Sequence, residues 1–380
     1  MLPKERVLAA FEHRPYDQVP LYQAGFSSQV ASYILGRPDA HIGGGIQQWR
    51  ESQALWEGEQ AHQEFLERCN QDALDLSDKL ELDYVRPSYW RMPEKPTAKL
   101  DEYTYQYGDP NGAYRIMRVD PATELYQVVE QQPDPEPTLE DIERGVEAAE
   151  SALASFQPPT DVGADIKAAK ERFPDRAVPV GGAGLGISNR SQVWLEAVVL
   201  RPDLVGRYLE CQTGRAEKTC EAMARLGHPF LLGGGDFASN RGPNYSPKSF
   251  HELMAPRLKR ITEACNRAGG FHMFASDGNL WPVAEDLFQV AHIDAFYEID
   301  GNFMDLRELR GRYPDLTLLG NIRSATLHKG SKAEVIAETR ACMEAAKELG
   351  SMIIGCSNQV VAGTPEENFW AMMETMHALK

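Results

Sequence analysis

Short apolar runs closed by Gly, Asn or Asp alternate along the chain with long amphipathic stretches, the pattern of strands followed by helices around a parallel sheet. Eight runs stand out, at residues 19–24 (VPLYQA), 82–87 (LDYVRP), 177–182 (AVPVGG), 229–235 (PFLLGGG), 270–276 (GFHMFAS), 294–299 (DAFYEI), 316–321 (LTLLGN) and 351–356 (SMIIGC). Helix-length segments lie at 191–200, 203–226, 247–268, 280–291, 305–313, 332–349 and 365–379. Eight such units predict an α/β fold, a closed (β/α)8 TIM barrel, rather than two doubly wound sheets. Two places break the rhythm. Residues 103–119 (YTYQYGDPNGAYRIMRV) alternate around a turn-forming GDPNG and predict a β-hairpin inserted after the second strand. The Pro-rich stretches 131–137 (QQPDPEP) and 156–159 (FQPP) read as linkers around an acidic helix. No repeat or low-complexity tract interrupts the pattern, so residues 1–380 are expected to form a single barrel domain.

Composition narrows the class of function. The 380 residues are 42% apolar and 25% charged, which suits a large buried core and excludes wholesale disorder. With 39 Lys and Arg against 56 Asp and Glu, the net charge is −17, and no basic stripe is present to displace counterions from a nucleic-acid backbone. Charges at Lys4, Glu5, Arg6, Glu12, His13 and Arg14 leave no apolar core for a signal peptide, and no run approaches the length of a membrane span. The six cysteines, at 69, 211, 220, 265, 342 and 356, lack CxxC spacing, so neither a disulfide framework nor a four-thiolate zinc is expected. A reduced, cytoplasmic protein without nucleic-acid or membrane partners follows.

Familiar nucleotide and hydrolase motifs fail on their spacing. GGAGLG at 181–186 misses G-x-G-x-x-G, since glycines at 182 and 184 put the third place on Ile187. Gly233 to Gly235 lacks the Lys-Ser/Thr of a phosphate loop, and neither G-x-S-x-G nor H-E-x-x-H occurs.

In a barrel the chemistry sits where strands give way to the following loops. Polar residues there are Tyr22 and Gln23, Arg86 with Tyr89 and Trp90, Asp236, Asp277 and Asn279, Glu298 and Asp300, Asn321 and Arg323, and Cys356 with Asn358. Alternation on the fifth strand places Phe271, Met273, Ala275 and Asp277 on one face and His272, Phe274 and Ser276 on the other. With Asp277 in the barrel mouth, His272 faces the helices. Asp277 in SDGN also suits an Asx turn or helix cap, Asp236 precedes a long polar loop, and Glu298 is a costly charge on an apolar strand unless it is paired. Cys356 suits an inert buried thiol as well as a ligand, and Tyr89 and Trp90 suit packing as well as a substrate platform.

KERVLAAFEHRPYDQVP near the start, GGGDFASNRGPNYSPKSFHELMAPRLKRI at 233–261, ASDGNLWPV at 275–283, LGNI at 319–322 and AGTPEENFWAM at 362–372 together resemble the uroporphyrinogen decarboxylase superfamily. That superfamily holds uroporphyrinogen decarboxylase and corrinoid-linked methyltransferases, and the resemblance implies a (β/α)8 barrel with its pocket at the strand C-termini. The decarboxylase has an R-Q-A-G-R-Y segment whose arginines clamp substrate carboxylates; here the similar place reads Tyr22-Gln23-Ala24-Gly25-Phe26, without either arginine. Zinc-dependent methyltransferases of the group carry H-x-C-G on the fifth strand and a Cys on the last. The matching residues here are Ala275-Ser276-Asp277-Gly278 and Cys356.

The resemblance therefore implies a methyltransferase that moves a methyl group between a small methylated substrate, of methyl ether or methylamine type, and a corrinoid carried on a separate protein. Asp236, Asp277 and Glu298 would be the acid or ligand set. Tyr22, Gln23, Arg86, Tyr89, Trp90, Asn279, Asn321 and Asn358 would line the substrate pocket, and Asp277, Glu298 and Cys356 would hold a zinc of oxygen-rich character. No covalently bound cofactor is expected, and the family suggests a homodimer. A decarboxylase or other lyase acting on a small carboxylic acid, and a barrel that binds a ligand without catalysis, are the alternatives.

Overall fold

The computed structural model describes residues 1–189 and 191–380. Six of the eight apolar runs form strands, Val180–Ala183, Phe230–Gly234, Phe271–Ala275, Ala295–Tyr297, Thr317–Leu319 and Met352–Ile353, hydrogen-bonded in that order as one parallel sheet. The register sets Met273 opposite Leu232 on one side and Ala295 on the other. Helices pack around the sheet, among them Pro202–Arg225, Ala255–Arg267, Lys332–Leu349 and Glu366–Leu379.

The two remaining runs do not form full strands. Residues around Leu21 and Tyr84 make single parallel bridges, Leu21 to Ile354 and Tyr84 to Ala177. They nevertheless link the sheet's edges: Asp83 and Tyr84 donate backbone N–H groups to the Leu21 carbonyl at 3.0 and 3.2 Å, and Val85 donates to Ala177 at 2.8 Å. The buried Asp83 carboxylate fastens this seam, accepting from the Leu21 N–H at 2.9 Å and from Arg6 at 3.0 Å. The result is a barrel-like core built on six strands and a two-segment seam, rather than eight strands of equal length.

Alternation sorts the side chains. Tyr22, Ala24, Tyr84, Ala177, Phe230, Leu232, Met273, Ala295, Tyr297, Leu319 and Ile353 cluster inside. Leu231, Phe274, Phe296, Leu318, Met352 and Ile354 belong to a larger cluster shared with the helices. Helix Pro3–Phe11 closes the end where the strands begin, with the Phe11 ring 5.1 Å from Phe230 and 5.0 Å from Phe271. Burying an aromatic plug of this kind contributes about 2–3 kcal/mol. The opposite end, where the strands finish, is left for chemistry.

The seam also requires a glycine. A Cβ on Gly355 would stand 1.9 Å from the Tyr22 carbonyl oxygen, a backbone atom that cannot step aside. Gly355→Ala is expected to lower stability by about 3 kcal/mol, measured by urea unfolding, because the seam must open to admit the methyl group.

The predicted hairpin is the centre of a larger element. Ala98–Lys99, Thr104–Gly108, Tyr114–Asp120 and Leu125–Gln132 form a four-stranded antiparallel sheet, so the first residues of the expected linker at 131–137 are strand. Tyr105, Tyr107, Met117, Val119 and Tyr126 bury one face of it against Ile46 of helix Gly44–Glu57. Helices Ser28–Leu35, Gly44–Glu57 and Glu59–Lys79 fill the stretch between the two seam segments. The predicted helix at 280–291 is instead a 3-10 turn at Trp281–Val283 followed by a π turn at Asp286–Val290. No helix among the described residues is long and apolar enough to cross a membrane.

Candidate active site

The inward alternation carries on past the strand ends and brings polar residues into the mouth. Arg86 lies two residues beyond Tyr84 and Asp277 two beyond Ala275, whereas Asn321, two beyond Leu319, turns away to the Met304 carbonyl and the Cys342 thiol of helix Lys332–Leu349. Glu298 breaks the alternation: its φ of 64° is left-handed, a conformation that costs a branched or long side chain roughly 1 kcal/mol or more. Such strain persists where surrounding structure imposes it, and functional sites are where it collects.

Asp277 and Glu298 are the raised carboxyls of the mouth; Asp294, which accepts from the His272 N–H, is raised by burial to about 6 as well. Burial raises Asp277 to about 6, with Asp236 and Asp300 adding repulsion, while the Asn358 amide opposes the shift by donating to both carboxylate oxygens at 2.9 and 3.1 Å. Burial likewise raises Glu298 from 4.5 to about 7. The charge of Arg86 pulls it down, Asp277 and Asp236 push it up, and the Tyr297 hydroxyl lowers it by hydrogen bonding. Near pH 7 Glu298 therefore has a proton within reach, as a general acid requires, while Asp277 is the more ionised of the two. Asn358→Ala is expected to move the Asp277 titration upward from about 6, since it removes the one bond favouring the carboxylate; carboxyl-carbon NMR across pH 4 to 9 reads the shift directly.

Arg86 is the mouth's cation. Its Nη1 donates to the Ala24 carbonyl and to the Tyr297 hydroxyl (3.3 Å), and its Nε donates to the Ser88 carbonyl (3.2 Å). The guanidinium carbon lies 5.0 Å from the Tyr89 ring centre and 4.8 Å from that of Trp90, a cation–π arrangement on both rings. Tyr89 is buried, whereas Trp90 is 41% exposed. Together with Val180, Leu232 and Ile166 they line a cavity of about 240 Å³.

The loop carrying these aromatics is tied down by a residue that sequence reasoning missed. Glu51, fully buried on helix Gly44–Glu57, accepts from Arg91 Nε at 2.9 Å, from His62 at 3.1 Å and from the Met92 N–H at 2.8 Å. A Glu within an amphipathic helix gives no signal that two of its partners, Arg91 and Met92, lie 40 and 41 residues away.

The other candidates divide. Asp236 is exposed, and its backbone carbonyl accepts from Asn244 at 2.7 Å and Asn189 at 3.4 Å, which shapes the loop beside the mouth. Asn279 accepts from the Trp281 N–H at 3.1 Å and so caps the short turn. Gln23 is buried and spends its amide on the Cys356 N–H (3.1 Å) and the Met373 sulfur (3.6 Å). Asn321 donates to the Met304 carbonyl at 2.9 Å and accepts from the Cys342 thiol at 3.8 Å. Tyr22 is fully buried against the rings of Tyr84 and Tyr297, and its hydroxyl has no hydrogen-bond partner. His272 faces the helices as its parity predicts, sharing a hydrogen bond of 2.9 Å with Thr262, and burial lowers it to about 3.

The donor set does not fit a zinc. Among the described residues no group of three or more His, Cys, Asp or Glu side chains is arranged around a metal position. Cys356 is fully buried, which pushes its thiol to about 12, and both Asp277 oxygens are engaged by Asn358. Asp277, Glu298 and Cys356 are thus not a ligand set, and the chemistry of the mouth is that of acids and a cation. A larger hollow of about 510 Å³ lies among the helices, and one of about 530 Å³ on the other side of Tyr89; neither of these, nor the cavity of about 240 Å³, is lined by Asp277 or Glu298.

The sequence profile described as uroporphyrinogen decarboxylase (URO-D) matches residues 236–379. A uroporphyrinogen decarboxylase of Anaeromyxobacter dehalogenans (strain 2CP-C) is 28% identical over 134 residues, which are 34% of this chain and 36% of that protein. The match thus spans about a third of the relative's length. Among solved structures, a methyltransferase from Methanosarcina mazei covers 100% of this chain and 99% of its own, at 18% identity and a TM-score of 0.64. A sugar phosphate isomerase/epimerase from Parabacteroides distasonis ATCC 8503 covers 63% of this chain and 90% of its own, at 10% identity and a TM-score of 0.31. The matched segment holds Asp236, Asp277, Glu298, Asn321 and Asn358, whereas Tyr22, Arg86, Tyr89 and Trp90 lie outside it. By sequence over residues 236–379 the chain resembles the uroporphyrinogen decarboxylase superfamily, and over its whole length it shares a fold with the Methanosarcina mazei methyltransferase.

Proposed function

We propose that the protein is a methyltransferase that moves a methyl group between a small methylated substrate, of methyl ether or methylamine type, and a corrinoid carried by a separate protein. The observation that carries this reading is the pair Asp277 and Glu298, two carboxyls held at about 6 and about 7 in one mouth. The full-length fold match to a methyltransferase supports it. An oxygen or nitrogen leaving a methyl group is a poor leaving group until it gains a proton, and a buried carboxyl near neutral pKa supplies that proton without a metal.

Glu298 is the proton donor in this account. As the methyl carbon's bond to the heteroatom breaks, the heteroatom takes the Glu298 proton, and the methyl group passes to the corrinoid, which supplies the electron pair. Glu298 is left as a carboxylate facing Arg86 and regains a proton from solvent. Asp277, fixed by Asn358, orients the substrate beside it, and Asp236 stands at the rim. Tyr89 and Trp90 form the pocket wall, with Tyr22 beneath. The corrinoid would reach this mouth from outside the barrel, carried by a separate protein as partner.

A decarboxylase acting on a small carboxylic acid is the second reading, favoured by the family match over residues 236–379. A methyl-transfer assay with free cob(I)alamin and a panel of methyl ethers and methylamines, run beside a carbon dioxide assay on small acids, separates the two. Methylcobalamin formation that is unchanged by added zinc or chelator is expected; carbon dioxide release without methyl transfer selects the second reading.

A further inference from the structure

Most arginines near a carboxylate in this protein are ion-paired, but Arg86 is not. Among the described residues no Asp or Glu oxygen lies within 4.0 Å of its guanidinium nitrogens, although the side chain is largely enclosed by Tyr89, Trp90, Ala24 and Tyr297. Its Nη1 and Nε are spent on two carbonyls and a phenol, and its Nη2 makes no hydrogen bond. Glu298 is the carboxyl whose charge it feels, yet no Glu298 oxygen pairs with it, and burial raises Glu298 to about 7. An enclosed cation without a counterion is expensive, and a guanidinium with a free nitrogen is built to receive a planar anion.

The cavity beside it states what else that anion carries. Of the residues lining its roughly 240 Å³, Val180, Leu232, Ile166 and Pro179 offer apolar surface, and Tyr89 and Trp90 offer ring faces. The volume suits a body of a few carbons up to a single ring rather than a tetrapyrrole. Tyr22 does not line this cavity; its fully buried hydroxyl, without a partner, packs behind it against Tyr297, which itself accepts from Arg86.

We infer that Arg86 anchors a carboxylate, so that the substrate of this mouth is a small monocarboxylate whose apolar body lies in the cavity walled by Leu232, Val180 and Trp90. The inference rests on the reading of the mouth as the substrate site and names its substrate class: the methyl donor carries an acid group at one end and the methylated heteroatom, toward Glu298, at the other. An amine-bearing substrate without a carboxylate is disfavoured here, because its cation would meet Arg86.

Titration calorimetry on the full chain tests this with cyclohexanecarboxylate, butyrate and acetate, each beside its neutral amide and the amine of the same skeleton. The acids are expected to bind at least about tenfold more tightly than their amides, the margin of a charge-assisted bond over a neutral one, and more tightly with the larger body. Arg86→Gln is expected to erase the preference, and Arg86→Lys, which keeps the charge but loses the planar fork, to retain part of it. Amide or amine binding as tight as the acid, no binding by any acid, or an intact preference in a folded Arg86→Gln protein would each overturn the anchor. If Arg86→Gln does not fold, the wild-type comparison of acid with amide decides alone. Because binding is read without turnover, acid-selective binding in a protein that transfers no methyl group would leave the anchor standing and refute the methyltransferase reading.

Discussion

Replacing Glu298 by Gln is expected to slow methyl transfer by about 10²–10⁴-fold, because the amide keeps the shape of the side chain and removes its proton. The loss should fall on kcat rather than KM, since the proton is needed only as the bond to the heteroatom breaks. The pH profile gives a sharper signature. Glu298 is moved from 4.5 to about 7, so its active, protonated form predominates below pH 7 and activity falls as pH rises through that value. In Glu298→Gln that descending limb should vanish. The groups that set its position are Arg86, which lowers it, Asp277 and Asp236, which raise it, and the Tyr297 hydroxyl, which lowers it. A carboxylate seated on Arg86 would cancel the first of these, so the limb should move to higher pH when an acid substrate is saturating. The same shift bears on stability: the neutral form is the one the fold prefers, so the contribution is fully present below about 4.5 and is lost as pH rises through about 7. Melting temperatures of wild type and Glu298→Gln measured from pH 5 to 8 should diverge in that sense.

The second large effect lies outside the mouth. Glu51→Ala is expected to cost about 3–5 kcal/mol, since it strips a fully buried carboxylate from Arg91, His62 and the Met92 N–H and leaves those groups facing one another. The loop at 87–93 should loosen with it, so the Trp90 contact with Arg86 weakens and binding in the mouth suffers even where the chain is still folded. Urea unfolding followed by tryptophan fluorescence measures the first effect, and fluorescence quenching by acrylamide the second. Glu51→Gln, which keeps an acceptor for the Met92 N–H, should cost less than Glu51→Ala.

Much of this arrangement is legible from alternation. Counting by twos along 271–277 puts Asp277 in the mouth and His272 against the helices, and the structure agrees because the strand Phe271–Ala275 is regular up to its end. Arg86 follows from Tyr84 by the same count. Glu298 does not, because a residue with φ of 64° no longer obeys the pleat, and nothing in AFYEID announces the change. The eight runs predict eight strands, but the first two make only the single bridges Leu21 to Ile354 and Tyr84 to Ala177, although they are as long as most of the runs that form strands. Helices 28–79 and the outer strands of the antiparallel sheet escape a reading that looks for strand and helix around one core. Ile46 of Gly44–Glu57 packs on Tyr105, Tyr107 and Tyr126, whereas Val30, Ala31 and Ile34 of Ser28–Leu35 and Ala73 and Leu76 of Glu59–Lys79 join the large cluster around the barrel strands. The ligand set Asp277, Glu298 and Cys356 fails for a related reason: strand-end position says that residues approach one mouth, but not that Cys356 is sealed beneath Gln23 while Asn358 takes Asp277.

Protonation by Glu298 of the group that gives up a methyl is read out by methylcobalamin formation. The full chain is incubated with free cob(I)alamin and methylated small acids, with wild type and Glu298→Gln side by side across pH 5 to 9. Wild type is expected to form methylcobalamin with a falling limb near pH 7, and Glu298→Gln to show a flat, strongly reduced rate. Equal rates from the two proteins, or no methyl transfer from any donor in the panel, would contradict it.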